Sequence, residues 1–322
     1  MGIPRGTARL LLEEARRQPF HGAVLQLGRS SVYFTLAELL AWARRHGVEL
    51  RPVEPIELSH DPRLARQGCL SDQTFFHLLG FERVESCDVS DWEGADHLLD
   101  LNRPVPDELK GRYDAVLDPG SILQIFHQPQ LFKNLHDFLK PGGRVIHAAV
   151  PSNNHVDLGF YMFSPTFFHD YYAANGYRIE YEYLCEYFPY WHLGRLYSAP
   201  WKVWRYQPGC LDALSYGRFG GRQTAIFMVA VKTAESTGSI VPQLGQFVRS
   251  WKEFEERRDD PEAVAGELHA SSPTWKARLA ERAERWLLAH PAAARAWRPV
   301  KRVRERLRRL LPSKMPPLVG RF

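Results

Sequence analysis

Apolar runs and helix-spaced apolar residues alternate along the first two thirds of this 322-residue chain. The clearest unit opens with an apolar run at 113–117, which ends at Asp118 before a Pro-Gly turn. Apolar residues then recur at helical spacing, at Leu131, Leu135, Phe138 and Leu139. A second apolar run follows Lys-Pro-Gly-Gly at 140–143, where we expect proline to end the helix and glycine to cap it. This order predicts a parallel βαβ unit with a right-handed crossover.

The same alternation predicts further elements on both sides of this unit. Before it, we expect a helix within 1–20, a strand at 23–27, helices from Thr35 to Gly47 and from Ser71 to Gly80, and strands that end near Asp88 and Asp100. After it, we expect a helix at 166–174 and strands at 177–184 and 224–232. Strands separated by helices indicate an α/β fold, which binds ligands at the carboxyl ends of its parallel strands.

Two segments of the central unit resemble the class I S-adenosylmethionine-dependent methyltransferases. YDAVLD at 113–118 is similar to the fourth strand of that domain, and LHDFLKPGGRVIHAAV at 135–150 is similar to its next helix, turn and fifth strand. PSNNHVDLGFYMFSPTFF at 151–168 resembles a bacterial subgroup associated with polysaccharide and surface-glycan biosynthesis. The resemblance covers about residues 20–232. It implies an α/β three-layer sandwich, with a mostly parallel sheet and an antiparallel last strand at 224–232.

The resemblance also implies S-adenosylmethionine as cofactor. In that fold Gly28 would lie beneath the methionine part, and an acidic residue after the second strand would accept hydrogen bonds from the ribose hydroxyls. Asp88 is the first candidate for this acid, and Asp91 is the next. Asp100 would contact the adenine edge, and Asp118 would line the site. Helix capping or loop solvation remains the alternative for Asp88, and ordinary turn chemistry is the alternative for Asp100.

The chain departs from the family pattern at two places. Only Gly28 remains of the glycine-rich loop, since Arg29 and two serines follow it. The subgroup carries a Glu-His pair after the fourth strand, whereas this chain has Gln124 and Ile125. These two side chains cannot transfer protons.

A polar cluster after the second strand of the central unit is the candidate for catalysis. His155 has the ordinary pKa of a general base near neutral pH, and we expect it to deprotonate a substrate hydroxyl. Asp157 would orient His155, while Asn153 and Asn154 would bind a polyol. The alternative is an asparagine-rich loop whose amides satisfy their own backbone.

Residues 186–222 form an aromatic insertion before the last strand. It contains Tyr187, Phe188, Tyr190, Trp191, Tyr197, Trp201, Trp204 and Tyr206. Such side chains can cover an active site and stack on sugar rings, or they can form a packed subdomain without a ligand. Three basic residues of this region are candidates for phosphate binding, Lys202, Arg205 and Arg222.

Composition and charge distinguish a basic C-terminal segment from the rest of the chain. The content of apolar residues, 44%, suits a globular protein. Residues 273–322 carry fourteen Lys and Arg against three Glu, whereas the rest of the chain carries 28 basic and 34 acidic residues. We therefore expect a lead-in helix at 1–20, a methyltransferase-like domain at 21–232, and a linker with a basic helical tail at 233–322.

The tail and the cysteines bear on location. WRPVKRVRERLRRLL at 297–311 is a basic amphipathic helix that suits an anionic membrane surface or an acidic partner, and the alternative is a solvated helix packed on the body. Nucleic acid is an unlikely partner because no recognised binding motif is present. Four scattered cysteines indicate a reduced protein without a metal site. The sequence shows neither a signal peptide nor an apolar run that could span a membrane, so we expect a cytoplasmic protein that binds, at most, to the inner face of the membrane.

Two functions follow from these patterns. The first is methyl transfer from S-adenosylmethionine to a hydroxyl of a sugar or glycolipid precursor. The second is a degenerate methyltransferase fold that serves as a binding or scaffold protein, docked by its basic tail. The altered loop after Gly28 and the Gln124-Ile125 substitution favour the scaffold. The strand-end carboxylates and the His155 cluster favour the enzyme.

Overall fold

A computed structural model of the chain describes residues 2–188, 200–210, 219, 221–245, 247–248, 251–252, 255, 279, 282, 286, 289–290 and 317–322. The helices are α1 (Arg5–Arg17), α2 (Leu36–His46), α3 (Pro62–Ala65), α4 (Asp72–Leu79), α5 (Gln128–Phe138) and α6 (Pro165–Ala174). The strands are β1 (Gly2–Ile3), β2 (Ala23–Leu27), β3 (Ser31–Val32), β4 (Arg83–Asp88), β5 (His97–Leu98), β6 (Tyr113–Asp118), β7 (Leu139–Asn153), β8 (Arg178–Tyr187), β9 (Lys202–Arg205), β10 (Gln223–Val231) and β11 (Leu318–Arg321).

Within these ranges, nine strands form one sheet in the order β11-β9-β8-β10-β7-β6-β2-β4-β5. Neighbours from β5 to β7 pair in parallel. Strand β10 lies antiparallel between β7 and β8. The predicted mostly parallel sheet with an antiparallel last strand is therefore confirmed. Strands β9 and β11 extend the sheet beyond that prediction, each antiparallel to its neighbour.

Helices cover both faces of this sheet. One core unites apolar side chains of α1, α2 and α4 with one face of the strands, including Leu11, Trp42 and Phe75. The other core unites α5 and α6 with the opposite face, including Phe132 and Tyr172. Every residue of β2 is buried, as expected for a central parallel strand covered on both sides. The three-layer α/β sandwich is thus confirmed.

Local sequence signals fix several helix ends. Thr35 and Glu38 form a reciprocal capping box at the start of α2, and Gly47 ends this helix in the left-handed conformation. The expected glycine cap of α5 is wrong. Leu139 caps α5 in an extended conformation, and Gly142, with φ +81°, lies inside β7, where its N–H donates to the Lys232 carbonyl. The chain enters the strand directly because Leu139 already pairs with Tyr113.

Helix α1 packs against the sheet. Glu14, almost fully buried, pairs with Arg144 of β7 at 2.5 Å and accepts a hydrogen bond from Tyr181. Gly6 leaves room for the Trp201 ring, because a Cβ at Gly6 would lie 2.2 Å from that indole. Helix α1 therefore contacts both β7 and the start of β9.

The chain divides into two compact units. One comprises Met1–Asp212, Phe219–Pro242 and Pro316–Phe322, and the other comprises Ala213–Arg218 and Gln243–Met315. The first unit contains α1 and residues 317–322 together with most of the domain predicted at 21–232. The predicted basic helix at 297–311 lies outside the described residues. No helix that the structure describes is long and apolar enough to cross a membrane.

Residues 317–322 close the edge of the sheet. The main-chain groups of Phe322 exchange hydrogen bonds with those of Trp201, at 2.6 and 2.9 Å. The Phe322 ring is buried and stacks on His46, with the ring centroids 6.1 Å apart. A deletion of 297–322 would remove β11 together with the predicted basic helix. A test of membrane binding therefore requires substitutions inside 297–311.

We predict that Phe322→Ala lowers the free energy of unfolding by about 3 kcal/mol, because it empties a core position beside β9. Urea denaturation of the full chain, followed by tryptophan fluorescence, measures this change. Val319→Ala is the matched control, since Val319 lies on the same strand and is 40% exposed. Equal losses in the two variants would show that β11 adds only backbone pairing.

Candidate functional site

Three residues that follow different parallel strands meet at one end of the sheet. Gly28 follows β2, Asp88 ends β4, and Ser121 lies in the turn after β6. A Cβ placed on Gly28 would lie 3.5 Å from Asp88 Oδ2 and 3.3 Å from Ser121 Oγ. The bare glycine therefore leaves a narrow space beside a carboxylate and a hydroxyl.

The backbone holds Gly28 in this place. Its φ is +75°, a conformation that favours glycine, and its N–H donates to the Cys87 carbonyl at 2.7 Å. Ser121 Oγ donates to the carbonyl of Leu27 at 2.5 Å, which ties the turn after β6 to the end of β2. Sequence analysis did not single out Ser121. The signal was its position directly after Asp-Pro-Gly at a strand end.

Asp88 has one carboxylate oxygen available to a ligand. Its Oδ1 accepts the N–H of Ser90 at 3.3 Å, and no described residue donates to Oδ2. The main-chain carbonyl of Asp88 accepts the N–H of Leu99, which holds the following loop. Two exposed apolar residues come directly after this acid in the loop, Val89 (73% exposed) and Trp92 (91% exposed). The loop thus combines an acceptor with open apolar surface.

Arg29 directly follows Gly28, and its side chain contacts two other segments. Its Nε lies 3.4 Å from the buried carboxylate of Asp72 at the start of α4. Its Nη1 donates to the carbonyl of Glu93 at 3.2 Å and lies close to Gly94. The guanidinium therefore links the turn after β2 to the loop after β4.

Asp118 is fully buried and serves the fold of the site. Its Oδ1 accepts the N–H groups of Gly120 (2.9 Å) and Ile122 (3.3 Å), which shapes the turn that carries Ser121. Its Oδ2 accepts from His147 Nδ1 at 2.7 Å. The expectation that Asp118 lines the site needs correction, because its carboxylate presents no surface to a ligand.

The hydrogen-bond chain from Asp118 continues into α6. His147 Nε2 lies 2.7 Å from the hydroxyl of Tyr172, and both residues are buried. Burial raises the pKa of Tyr172 well above its ordinary value, so the phenol keeps its proton. With a proton on Nδ1, the His147 ring can donate to Asp118 and accept from Tyr172. The chain joins β6, β7 and α6.

Asp100 lies in a turn rather than in a ligand pocket. Its exposed carboxylate accepts from the main chain and the amide of Asn102 and pairs with Arg103 at 3.4 Å. The Asn102 hydrogen bonds lower the pKa of Asp100. This is the turn chemistry that stood as the alternative to an adenine contact, and the adenine role stays a prediction.

The loop that carries His155 leaves β7 through a bulge. Ala149 has φ +83° and lies opposite a register shift between Ile226 and Phe227 of β10. Such bulges redirect the end of a strand. Here the redirected segment leads to the His155 loop, which lies at the carboxyl ends of the parallel strands, as Gly28 and Asp88 do.

Tyr187, rather than the predicted Asp157, contacts the imidazole of His155. Its Nε2 lies 3.3 Å from the hydroxyl of Tyr187, the last residue of β8. Burial lowers the pKa of His155, and the Thr224 carbonyl acts in the opposite direction. Asp157 is exposed and has no hydrogen bond with His155 in the described part of the chain. The predicted Asp157–His155 pair is therefore wrong.

Asn154 is largely committed to the backbone. It has φ +60°, and its Nδ2 donates to the carbonyl of Arg222 at 2.6 Å. Its N–H donates to Asn153 Oδ1 at 2.9 Å. These bonds match the alternative of an asparagine-rich loop that satisfies its own main chain. A substrate role for Asn154 stays a prediction.

The aromatic insertion contributes mainly to the core where it is described. Tyr187 and Trp201 are buried and stack with centroids 4.7 Å apart, and Tyr206 is buried as well. Phe188 is half exposed, with the Arg222 guanidinium 5.1 Å from its ring. Tyr190, Trp191 and Tyr197 lie outside the described residues.

Phosphate binding by the insertion gains little support. Arg222 forms a salt bridge with Glu186, which neutralises its charge. Lys202 and Arg205 lie on β9, between β8 and β11. No group of acidic, histidine or cysteine side chains suits a metal ion in the described ranges.

Exposed aromatic surface lies instead beside the His155 loop. Phe126 is 66% exposed and Phe160 is 65% exposed, and their rings meet edge to face at 5.4 Å. The Phe160 N–H donates to the Leu123 carbonyl, and the Tyr161 hydroxyl donates to the Phe126 carbonyl. The loop is thereby tied to the segment that follows Ser121. Phe126 was not among the residues singled out from the sequence.

Comparisons with known proteins give fold-level likeness only. No family model matches the chain, and no curated protein matches it. One similar solved structure is a geranyl diphosphate methyltransferase in complex with SAM, at 17% identity and TM-score 0.35 over 70% of this chain and 84% of that chain. Another is a 16S rRNA (adenine(1408)-N(1))-methyltransferase from Catenulisporales acidiphilia, at 15% identity and TM-score 0.32 over 73% of this chain and 94% of that chain.

A third similar structure is geranyl diphosphate C-methyltransferase from Streptomyces coelicolor A3(2), at 19% identity and TM-score 0.33 over 70% of this chain and 77% of that chain. At these identities and TM-scores, the likenesses decide neither substrate nor activity.

We predict that Asp118→Ala lowers the free energy of unfolding by about 4 kcal/mol, because it leaves two buried N–H groups and His147 without an acceptor. Thermal and urea unfolding measure the loss. Asp100→Ala is the matched control, since the same substitution at an exposed carboxylate should change stability by less than about 0.5 kcal/mol. A small effect at Asp118 would mean that water replaces the carboxylate.

Proposed function

We propose that this chain binds S-adenosylmethionine at Gly28, Asp88 and Ser121 and methylates a hydroxyl of a sugar or glycolipid precursor. The observation that carries the proposal is the meeting of these three residues at the carboxyl ends of β2, β4 and β6. Open α/β sheets bind ligands at the carboxyl ends of their parallel strands. The antiparallel strand β10 is the one that the family resemblance implied.

The residues present fit the cofactor. Gly28 leaves space that a Cβ would fill, so a ligand can approach the backbone there. Asp88 Oδ2 lacks a donor from the described residues and can accept hydrogen bonds from ribose hydroxyls. Val89 and Trp92 supply exposed apolar surface for the adenine ring. Asp118 would act indirectly, through the turn that holds Ser121.

The acceptor would be activated by His155. Its lowered pKa keeps the imidazole neutral near pH 7, so a ring nitrogen can accept the proton of a hydroxyl. Tyr187 would hold the ring in position through the 3.3 Å contact. When bound, the cofactor supplies a methyl group on an activated sulfonium. Phe126 and Phe160 would contact the apolar face of a sugar ring or the lipid part of the acceptor.

A scaffold function is the second candidate, and Arg29 favours it. The guanidinium bridges two loops that border the cofactor space, where the family pattern has glycine. Under this proposal the chain keeps the fold and binds a partner or an anionic membrane surface through 297–311. Binding of S-adenosylmethionine, or its absence, separates the two candidates.

We predict that isothermal titration of the full chain with S-adenosylmethionine gives micromolar binding, and that Asp88→Ala weakens it at least about tenfold through the loss of charged hydrogen bonds. Asp107→Ala is the matched control, because its carboxylate is exposed and lies before β6, away from the proposed site. Absence of heat from folded protein would refute the cofactor site and favour the scaffold.

We predict that His155→Ala lowers kcat on a responsive glycan acceptor by roughly 100-fold or more, with unchanged affinity for S-adenosylmethionine. Release of S-adenosylhomocysteine from a panel of sugar and glycolipid acceptors provides the assay. Activity of the wild-type chain should fall as pH drops through the pKa of His155, which burial holds below the ordinary value for histidine, because the protonated ring cannot accept a proton. Asp157→Ala should keep both rate and pH profile. An unchanged rate in His155→Ala would exclude the general-base role.

A further inference from the structure

A cavity of about 300 Å³ lies between α5, α6 and the segment 238–242. None of Gly28, Asp88, Ser121 and His155 lines it. It lies on the helical layer that covers one face of the sheet, rather than at the strand ends. Its volume is at the lower end of the range for small-molecule pockets in proteins.

Aromatic rings form two walls of this cavity. Phe132 of α5 meets Phe167 of α6 at a centroid distance of 5.2 Å and Tyr171 at 4.5 Å, both with steeply inclined planes. Ile240 and Val241 form the third wall and are largely exposed. These surfaces suit a flat apolar molecule.

The third wall is fixed by buried polar groups. Asn175, 1% exposed, accepts the N–H of Ile240 at 3.0 Å and donates to its carbonyl at 2.9 Å. The hydroxyl of Tyr171 donates to the carbonyl of Gly238 at 3.1 Å. These bonds hold the segment against α6, so the cavity has a defined shape.

Gln128 lines the cavity and carries a buried acceptor, Oε1, without a donor among the described residues. The residue is 7% exposed, and its Nε2 donates to the carbonyls of Ile122 (2.8 Å) and Ile125 (2.5 Å). Its buried Oε1 has no donor among the described residues. The two carbonyl partners fix the amide orientation, because the opposite orientation would place two acceptors against an acceptor. A buried acceptor without a donor is unfavourable, and a ligand O–H or N–H would remove that penalty.

The charges around the cavity favour a neutral ligand. Lys133 is paired with Asp137 at 2.7 Å, and the His127 Nδ1 accepts the N–H of Gln130. The lining residues therefore offer no unpaired charge for an anion or a cation.

We propose that this cavity binds a neutral, flat, apolar molecule with one hydrogen-bond donor, of the phenol or aromatic alcohol class, whose donor reaches Gln128 Oε1. The aromatic walls would enclose the ring system, and a small movement of the Gln128 side chain that keeps both Nε2 hydrogen bonds would expose Oε1 to the cavity. This site does not depend on the proposed methyl transfer, because it shares no lining residue with the strand-end site.

Fluorescence titration of the full chain with 2-naphthol and with 2-methoxynaphthalene tests the site. The two probes share their ring system, but only 2-naphthol carries a donor. We expect 2-naphthol to bind about tenfold more tightly, the value of one hydrogen bond that satisfies a buried acceptor. Equal affinity for the two probes would overturn the assignment to Gln128.

Two variants locate the binding. Val241→Trp should abolish binding of both probes by filling the cavity, and it should fold because Val241 is 72% exposed. Val319→Trp, on β11, is the matched control and should bind as the wild type does. Gln128→Met keeps the side-chain volume and should remove the preference for 2-naphthol. Unchanged naphthol binding in Val241→Trp would place the probe elsewhere and refute the site.

Discussion

The candidate site depends on the hydrogen bonds that the buried carboxylate of Asp118 accepts. A buried acid must have donors for its oxygens, and Asp118 obtains them from two N–H groups of the following turn and from His147. His147 is in turn bound by Tyr172. The end of β6 is therefore joined to β7 and α6. Ser121 can meet Gly28 and Asp88 only because this turn is held.

A second buried side chain holds the same turn from its other end. Gln128 donates to the carbonyls of Ile122 and Ile125, whereas Asp118 accepts the N–H groups of Gly120 and Ile122, so the turn around Ser121 is held by two buried side chains. The subgroup that the sequence resembles has an acid and a histidine where this chain has Gln124 and Ile125. In this chain the segment is a turn supported by Asp118 and Gln128.

Local signals allowed most of the fold to be predicted from sequence. Thr35 with Glu38, and Ser71 before α4, cap helices through contacts within three residues, so their effects can be read directly along the chain. The site was harder to predict because its contacts are distant in sequence. Asp157 is two residues from His155, yet Tyr187 contacts the ring from β8. Asp118 looks like a ligand residue until His147, 29 positions later, is seen beside it.

Strand β11 has a consequence for how the chain is made. Its partner β9 precedes it by more than a hundred residues. During synthesis the β9 edge cannot be paired by β11 until the residues between them and β11 itself have been made. An exposed strand edge is prone to pair with other chains. The long separation also makes closure of this edge a late, entropically costly step in folding. Ribosome-bound chains would therefore present an open sheet for the whole time needed to synthesise the second unit.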